Sequence, residues 1–150
     1  MYVDRYQLLS NSQVLTATGI STDWVDLSVA TPFRKIGQGE PLAVFFSFPS
    51  AADASSGNET YQFQIIQSAN SDMSAPDVLV QTDVAYITRT MLVPGFSVTL
   101  PIPPGMVTKR YLGARYVLGG TTPQLTVSAV IIPLSMVDQW TTYQSKSVIL

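Results

Sequence analysis

Histidine and cysteine are absent from the 150 residues, and only eight basic and ten acidic side chains are present. Those absences remove the usual neutral-pH proton shuttle, the thiolate nucleophile and the common zinc ligands. Catalysis would fall to Asp, Glu, Lys or Tyr alone. Charged residues make up 12% of the chain, against about 25% in an ordinary soluble domain, which implies a surface partly covered by something other than water. No stretch reaches the ~18 apolar residues of a membrane span. The start, Met1-Tyr2-Val3-Asp4-Arg5, has no basic segment leading into an apolar run, so nothing marks the chain for secretion or membrane insertion. The net charge is −2 and the pI about 4.8, which lacks the electrostatic attraction that drives nucleic-acid binding. Missing cysteine fits a reducing compartment, or a particle assembled there.

What is present is apolar: 46% of residues are hydrophobic, and with so little charge the expectation is an interaction protein that assembles obligately or nearly so. The length fits a single domain spanning residues 1–150, large enough for a core without disulfide staples. Two-residue alternation dominates the middle of the chain. Tyr61, Phe63 and Ile65 alternate with Gln62 and Gln64, Phe96, Val98 and Leu100 with Ser97 and Thr99, and Leu125, Val127, Ala129 and Ile131 with Gln124, Thr126 and Ser128. Each reads as a strand with one wet face. Leu112, Ala114, Tyr116 and Leu118 share a parity, and the run from Leu42 to Phe48 is apolar enough to be covered on both faces of a central strand. Weaker strands are expected at Gln13–Thr18, Trp24–Ser28 and Val78–Arg89, the last as two strands or as one bent at Thr82-Asp83. Gly119-Gly120 sits between two clean strands and predicts a tight hairpin that pairs them. About seven to nine strands without helix-length segments indicate an all-β fold, an antiparallel jelly roll or β-sandwich.

The ends carry unusual apolar surface for tails, and are read as extended arms over residues 1–10 and 133–150. Ser135 and Asp138 resemble a weak helix cap pair, which predicts a turn or two of helix with Met136, Trp140 and Tyr143 on one face.

Several patterns invite chemistry. Gly37-Gln38-Gly39 lacks a third glycine and a following helix, so it reads as a turn and not a phosphate cradle. The loop from Asp53 to Glu59 has oxygen ligands but not the alternation of a calcium loop. Asp23 and Asp26 are candidate paired carboxylates only if the fold sets them around a sugar; water-facing is the simpler reading. Asn58-Glu59-Thr60 matches a glycosylation acceptor formally. Arg34-Lys35 and Lys109-Arg110 could meet an acidic partner, or be solvated loop ends. Tyr61, Phe63 and Tyr116 could be a sugar platform but lie on core parity, and neither Trp24 nor Trp140 sits in a binding signature.

Met1-Tyr2-Val3-Asp4 with Leu8-Leu9-Ser10, Gly39-Glu40-Pro41-Leu42, Pro103-Pro104-Gly105, and Tyr116-Val117-Leu118-Gly119-Gly120 before Leu125-Thr126-Val127 carry a family likeness. Together they resemble the capsid cement, or decoration, proteins of Bordetella-phage-type short-tailed bacteriophages, from Met1 to about Ile132. The resemblance implies a jelly-roll protein of the virion, outside the shell, often a homodimer, that clamps neighbouring copies of the phage major capsid protein against internal DNA pressure. It implies no catalytic residue, no metal and no cofactor, and neither nucleic acid nor membrane as a partner. On that basis Tyr2, Tyr6, Leu9, Trp140 and Tyr143 are the expected capsid or subunit contacts, with core packing as the alternative for each. The alternative function is a carbohydrate-binding jelly-roll module on a virion or secreted protein; a small glycan-processing enzyme using Asp or Glu is a third.

Overall fold

The alternating segments are strands, and their inward residues meet in one core. The computed structural model describes residues 7–27, 39–52, 57–84 and 86–137. Along the chain the strands are β1 (Leu8–Leu15), β2 (Gly19–Ile20), β3 (Val25–Asp26), β4 (Leu42–Ser47) and β5 (Thr60–Ser68). They continue as β6 (Asp77–Gln81), β7 (Ser97–Pro101), β8 (Tyr111–Gly119) and β9 (Leu125–Pro133). All pairs are antiparallel.

The first sheet has the order β1-β9-β4-β7 and the second β2-β8-β5-β6, with β3 also pairing β8. The pairs are nested: β5 with β6, β4 with β7, β2 and β3 with β8, and β1 with β9. This is one long hairpin of chain rolled over so that β9 also meets β4 and β8 also meets β5. The result is a jelly roll of two packed sheets.

Inward parity builds the core. In the β5–β8 register Phe63 lies opposite Tyr116 and Ile65 opposite Ala114, and all four are fully buried. Phe46 of β4 reaches them across the sandwich, with ring centroids 5.3 Å from Phe63 and 6.1 Å from Tyr116. The tilted and edge-on geometries suit the ring quadrupoles. A second, smaller cluster lies on the outer face of the first sheet, where Phe45, Val130 and Ile132 are buried with Leu8 and Val137 packed against them. The run from Leu42 is therefore continuous because β4 is an inner strand covered on both faces.

Four expectations need correction. The strands flanking Gly119-Gly120 do not pair, because β8 belongs to the second sheet and β9 to the first. The turn is a corner between sheets. Gly120 takes φ +99°, and a Cβ there would lie 2.7 Å from the Asn58 carbonyl oxygen and 2.7 Å from Glu59 Cα, so no other residue fits without movement. The stretch Val78–Arg89 is a strand only to Gln81 and then turns. Ser135 is not the expected helix cap: it lies inside a 3-10 turn, Leu134–Met136, that has no side-chain cap, and it donates to Glu40 Oε1 at 3.1 Å. Val137 is helical, and the rest of the expected helical segment, with Trp140 and Tyr143, lies outside the described residues. The N-terminal arm is also shorter than 1–10, since β1 begins at Leu8 and pairs Leu8 with Val130 and Ser10 with Ala129.

Candidate interaction surface

Of the five residues expected to make contacts, only Leu9 is among those described. It is 1% exposed and part of the main core, so its side chain packs inside the protein instead of on an arm. The signal that misled is its place in an apolar N-terminal run; β1 carries no clean alternation there, because its pairing with β9 shifts register between Leu8 and Ser10 and again between Ser10 and Gln13. Tyr2, Tyr6, Trp140 and Tyr143 lie outside the described residues, as do Arg34-Lys35, Asp138 and most of the Asp53–Glu59 loop.

The charged groups are mostly spent on the chain's own loops. Arg110 donates from Nε and an Nη to the two carboxylate oxygens of Asp26 at 2.7 and 2.9 Å, and its guanidinium lies 5.1 Å from the Tyr111 ring centroid. The bidentate hydrogen bond to Asp26 raises the Arg110 pKa. Lys109 meets Asp77 at 2.6 Å. The dibasic pair thus ties the start of β8 to β3 and β6. Asp26, engaged this way, is not poised as a catalytic acid beside Asp23, whose backbone carbonyl accepts from the Ser21 hydroxyl.

The other patterns resolve into structure as well. Asn58 grips the corner after β8: its amide donates to Thr121 Oγ1 at 2.8 Å and its carbonyl accepts from Thr121 N at 3.2 Å. Buried Glu59 accepts from Gly57 N at 2.8 Å and from the Thr122 hydroxyl at 3.3 Å, with Arg89 at 4.0 Å. Tyr61, Phe63 and Tyr116 are all 0% exposed and cannot stack on a sugar. The Tyr116 hydroxyl is hydrogen-bonded to Ser10 at 2.7 Å, and burial pushes its pKa well above the usual phenol range. Among the described residues no group of three or more acidic side chains could hold a metal ion, and no helix is long and apolar enough to cross a membrane.

What the surface offers is a set of uncovered apolar side chains. The connection from β6 to β7 exposes Val84, Tyr86, Met91 and Val93, and Tyr86 is 77% exposed. Beside it an open hollow of about 380 Å³ is lined by Gln62, Gln81, Thr82, Asp83 and Val84. Sequence reading missed this patch because Val78–Arg89 looked like strand, which would have turned alternate side chains inward. The outer face of the second sheet is different in kind. Gln62, Gln64 and Arg115 stand on it, and Gln64 Nε2 donates to Gln62 Oε1 at 3.2 Å and Gln81 Oε1 at 2.9 Å.

Fold and surface together define a jelly-roll domain with apolar side chains exposed on the β6–β7 connection. The profile of the Bbp16 family matches residues 9–131, most of the chain, and the protein belongs to that phage-related family. Membership fits a structural protein of a Bordetella phage. A comparison with curated proteins finds no match.

Proposed function

We propose that this protein is a capsid cement or decoration protein: it sits on the outer surface of a phage shell, bridges neighbouring major capsid protein subunits, and stabilises the shell against internal DNA pressure. The role is structural and non-enzymatic, the location is the virion, and a homodimer is the expected form. The observation that carries the reading is the exposed apolar side chains Val84, Tyr86, Met91 and Val93, displayed by a rigid sandwich from a phage-related family.

The physics suits the task. A preorganised sandwich loses little conformational entropy on docking, and low charge limits the desolvation cost of broad contacts. A copy that touches two subunits at once gains avidity of about 10²–10⁴ because the second engagement is intramolecular. The test is an electron-microscopy map of the assembled particle, together with the heat resistance of shells prepared with and without the protein. Density bridging adjacent subunits and a raised disruption temperature are expected. Shells that neither bind the protein nor change in stability would end the proposal.

A further inference from the structure

Arg89, Lys109 and Arg110 each face a carboxylate of their own chain. Arg115, the remaining cation among the described residues, faces none. It is not at a loop end where water would serve it cheaply, but midway along β8, an inner strand of the second sheet, and partly buried. Its register partners are Gln64 on β5 and Ile20 on β2, and the next outward pair is Gln62 with Val117. None of these carries a negative charge, in a chain where acidic residues outnumber basic ones by ten to eight.

A second defect lies at the same register position. Gln64 is 6% exposed, and its Oε1 is the buried side-chain polar atom among the described residues that has no hydrogen-bond partner. The amide cannot simply be turned over to cure this. Gln62 Nε2 donates to the Thr82 carbonyl at 2.8 Å, which points Gln62 Oε1 at Gln64 and holds the Gln64 Nε2 toward it. A buried acceptor left unsatisfied is uncommon and costs stability.

We propose that the outer face of the second sheet, centred on Arg115 and Gln64, docks an acidic segment of another protein. An aspartate or glutamate residue supplies both missing groups at once: a side-chain carboxylate for the guanidinium, able to accept two parallel N–H bonds, and a backbone N–H for Gln64 Oε1. Reaching the buried Gln64 Oε1 requires Gln62 and Arg115 to swing aside on docking, with Gln62 giving up its hydrogen bond to the Thr82 carbonyl. One isolated cation is too little for a nucleic-acid or anionic-membrane surface, which needs a cluster of basic groups. This inference rests on the proposed function in taking the major capsid protein as the acidic partner.

Shells assembled without this protein are mixed with purified wild type, Arg115→Glu, Arg115→Gln or Gln64→Leu, and bound protein is measured after sedimentation at low and high salt. Arg115→Glu is expected to lower shell affinity at least tenfold at low salt, with Arg115→Gln between it and wild type. Wild-type binding should weaken as salt rises, and the Arg115 variants should lose much of that dependence. Gln64→Leu is expected to weaken binding severalfold while its thermal midpoint stays at or above that of wild type, which separates a docking role from a folding role. If Arg115→Glu and Arg115→Gln bind like wild type with the same salt response, the docking face is wrong while the cement function stands. If wild type itself does not bind shells, both fall.

Discussion

The two sheets share a core but treat their outer faces in opposite ways. On the first sheet the outward residues Ala43, Phe45, Val130 and Ile132 are apolar and almost fully buried. On the second sheet the equivalent positions on β5 and β8 are Gln62, Gln64, Arg115 and Val117, joined by amide hydrogen bonds and partly open. One outer face is apolar at its centre, the other polar. The lesson is that the two faces are closed by different means, apolar packing on the first sheet and amide hydrogen bonds on the second. Where the outer layer is apolar, β4 reads as an unbroken apolar run; β5 alternates aromatic and glutamine, yet Gln64 is buried, against the wet face expected there, because amide hydrogen bonds to Gln62 and Gln81 cover it.

The sharpest way to break that contrast is Phe45→Ala. If the outer face of the first sheet is as much core as the space between the sheets, the change should cost about 3–5 kcal/mol in denaturant unfolding. A loss below about 1 kcal/mol would mean that the face is only skin. Tyr116→Phe addresses the layer between the sheets and should cost about 1 kcal/mol at neutral pH through the lost Ser10 hydrogen bond. Its pH signature is more telling. The folded-state pKa of Tyr116 is raised, so its contribution is fully present below the ordinary phenol pKa of about 10 and is lost as pH rises above it. Urea unfolding between pH 8 and 11 should therefore fall less steeply for the phenylalanine variant.

Part of the second sheet's outer face is also closed, and Gly113 measures how tightly. A Cβ at this position would sit 3.2 Å from Met73 Cε, 3.2 Å from Trp24 Cβ and 3.3 Å from the Ser21 hydroxyl. Gly113→Ala is expected to cost on the order of 1 kcal/mol, the overpacking outweighing the smaller gain from a stiffer unfolded chain. A stabilised variant would show that Trp24 and Met73 yield freely. The smallest effect belongs to Gln64→Leu, which removes an unsatisfied buried acceptor along with its amide. Its unfolding free energy should lie within about 0.5 kcal/mol of wild type or above it, and a loss of more than about 2 kcal/mol would assign the glutamine network to stability.

Much of this was legible in the order of residues. The inner strand at Leu42–Phe48, the inward sets Tyr61-Phe63-Ile65 and Leu112-Ala114-Tyr116-Leu118, and the all-β architecture follow from periodicity alone. In β9 even the change from alternating Leu125–Ala129 to continuous Val130–Ile132 marks where the outer face becomes covered. Partnering was not legible. A diglycine between two strands is locally the same whether the chain doubles back or turns a corner, and only Asn58 and Glu59, far away in sequence, decide that it turns the corner. Arg110 and Arg115 posed the same difficulty. Nothing nearby distinguishes the arginine clasped by Asp26 from the one left over, because the deciding contact spans β3 and β8. Leu9 carries no local signal of its burial, since Leu8 and Leu9 are equally apolar and only the irregular pairing with β9 turns one to the core and the other to the outer cluster.

The nesting of the strands has a consequence for how the molecule is made. In the first sheet β9 is flanked by β1 on one side and β4 on the other, and β4 is also paired with β7, so until the last strand has left the ribosome β1 has no neighbour in the sheet and β4 only one. During synthesis the apolar run of β4 emerges before its partners, a hazard for a topology dominated by distant contacts. The first sheet is completed only when β9 arrives to join β1 to β4, so its closure is a late step.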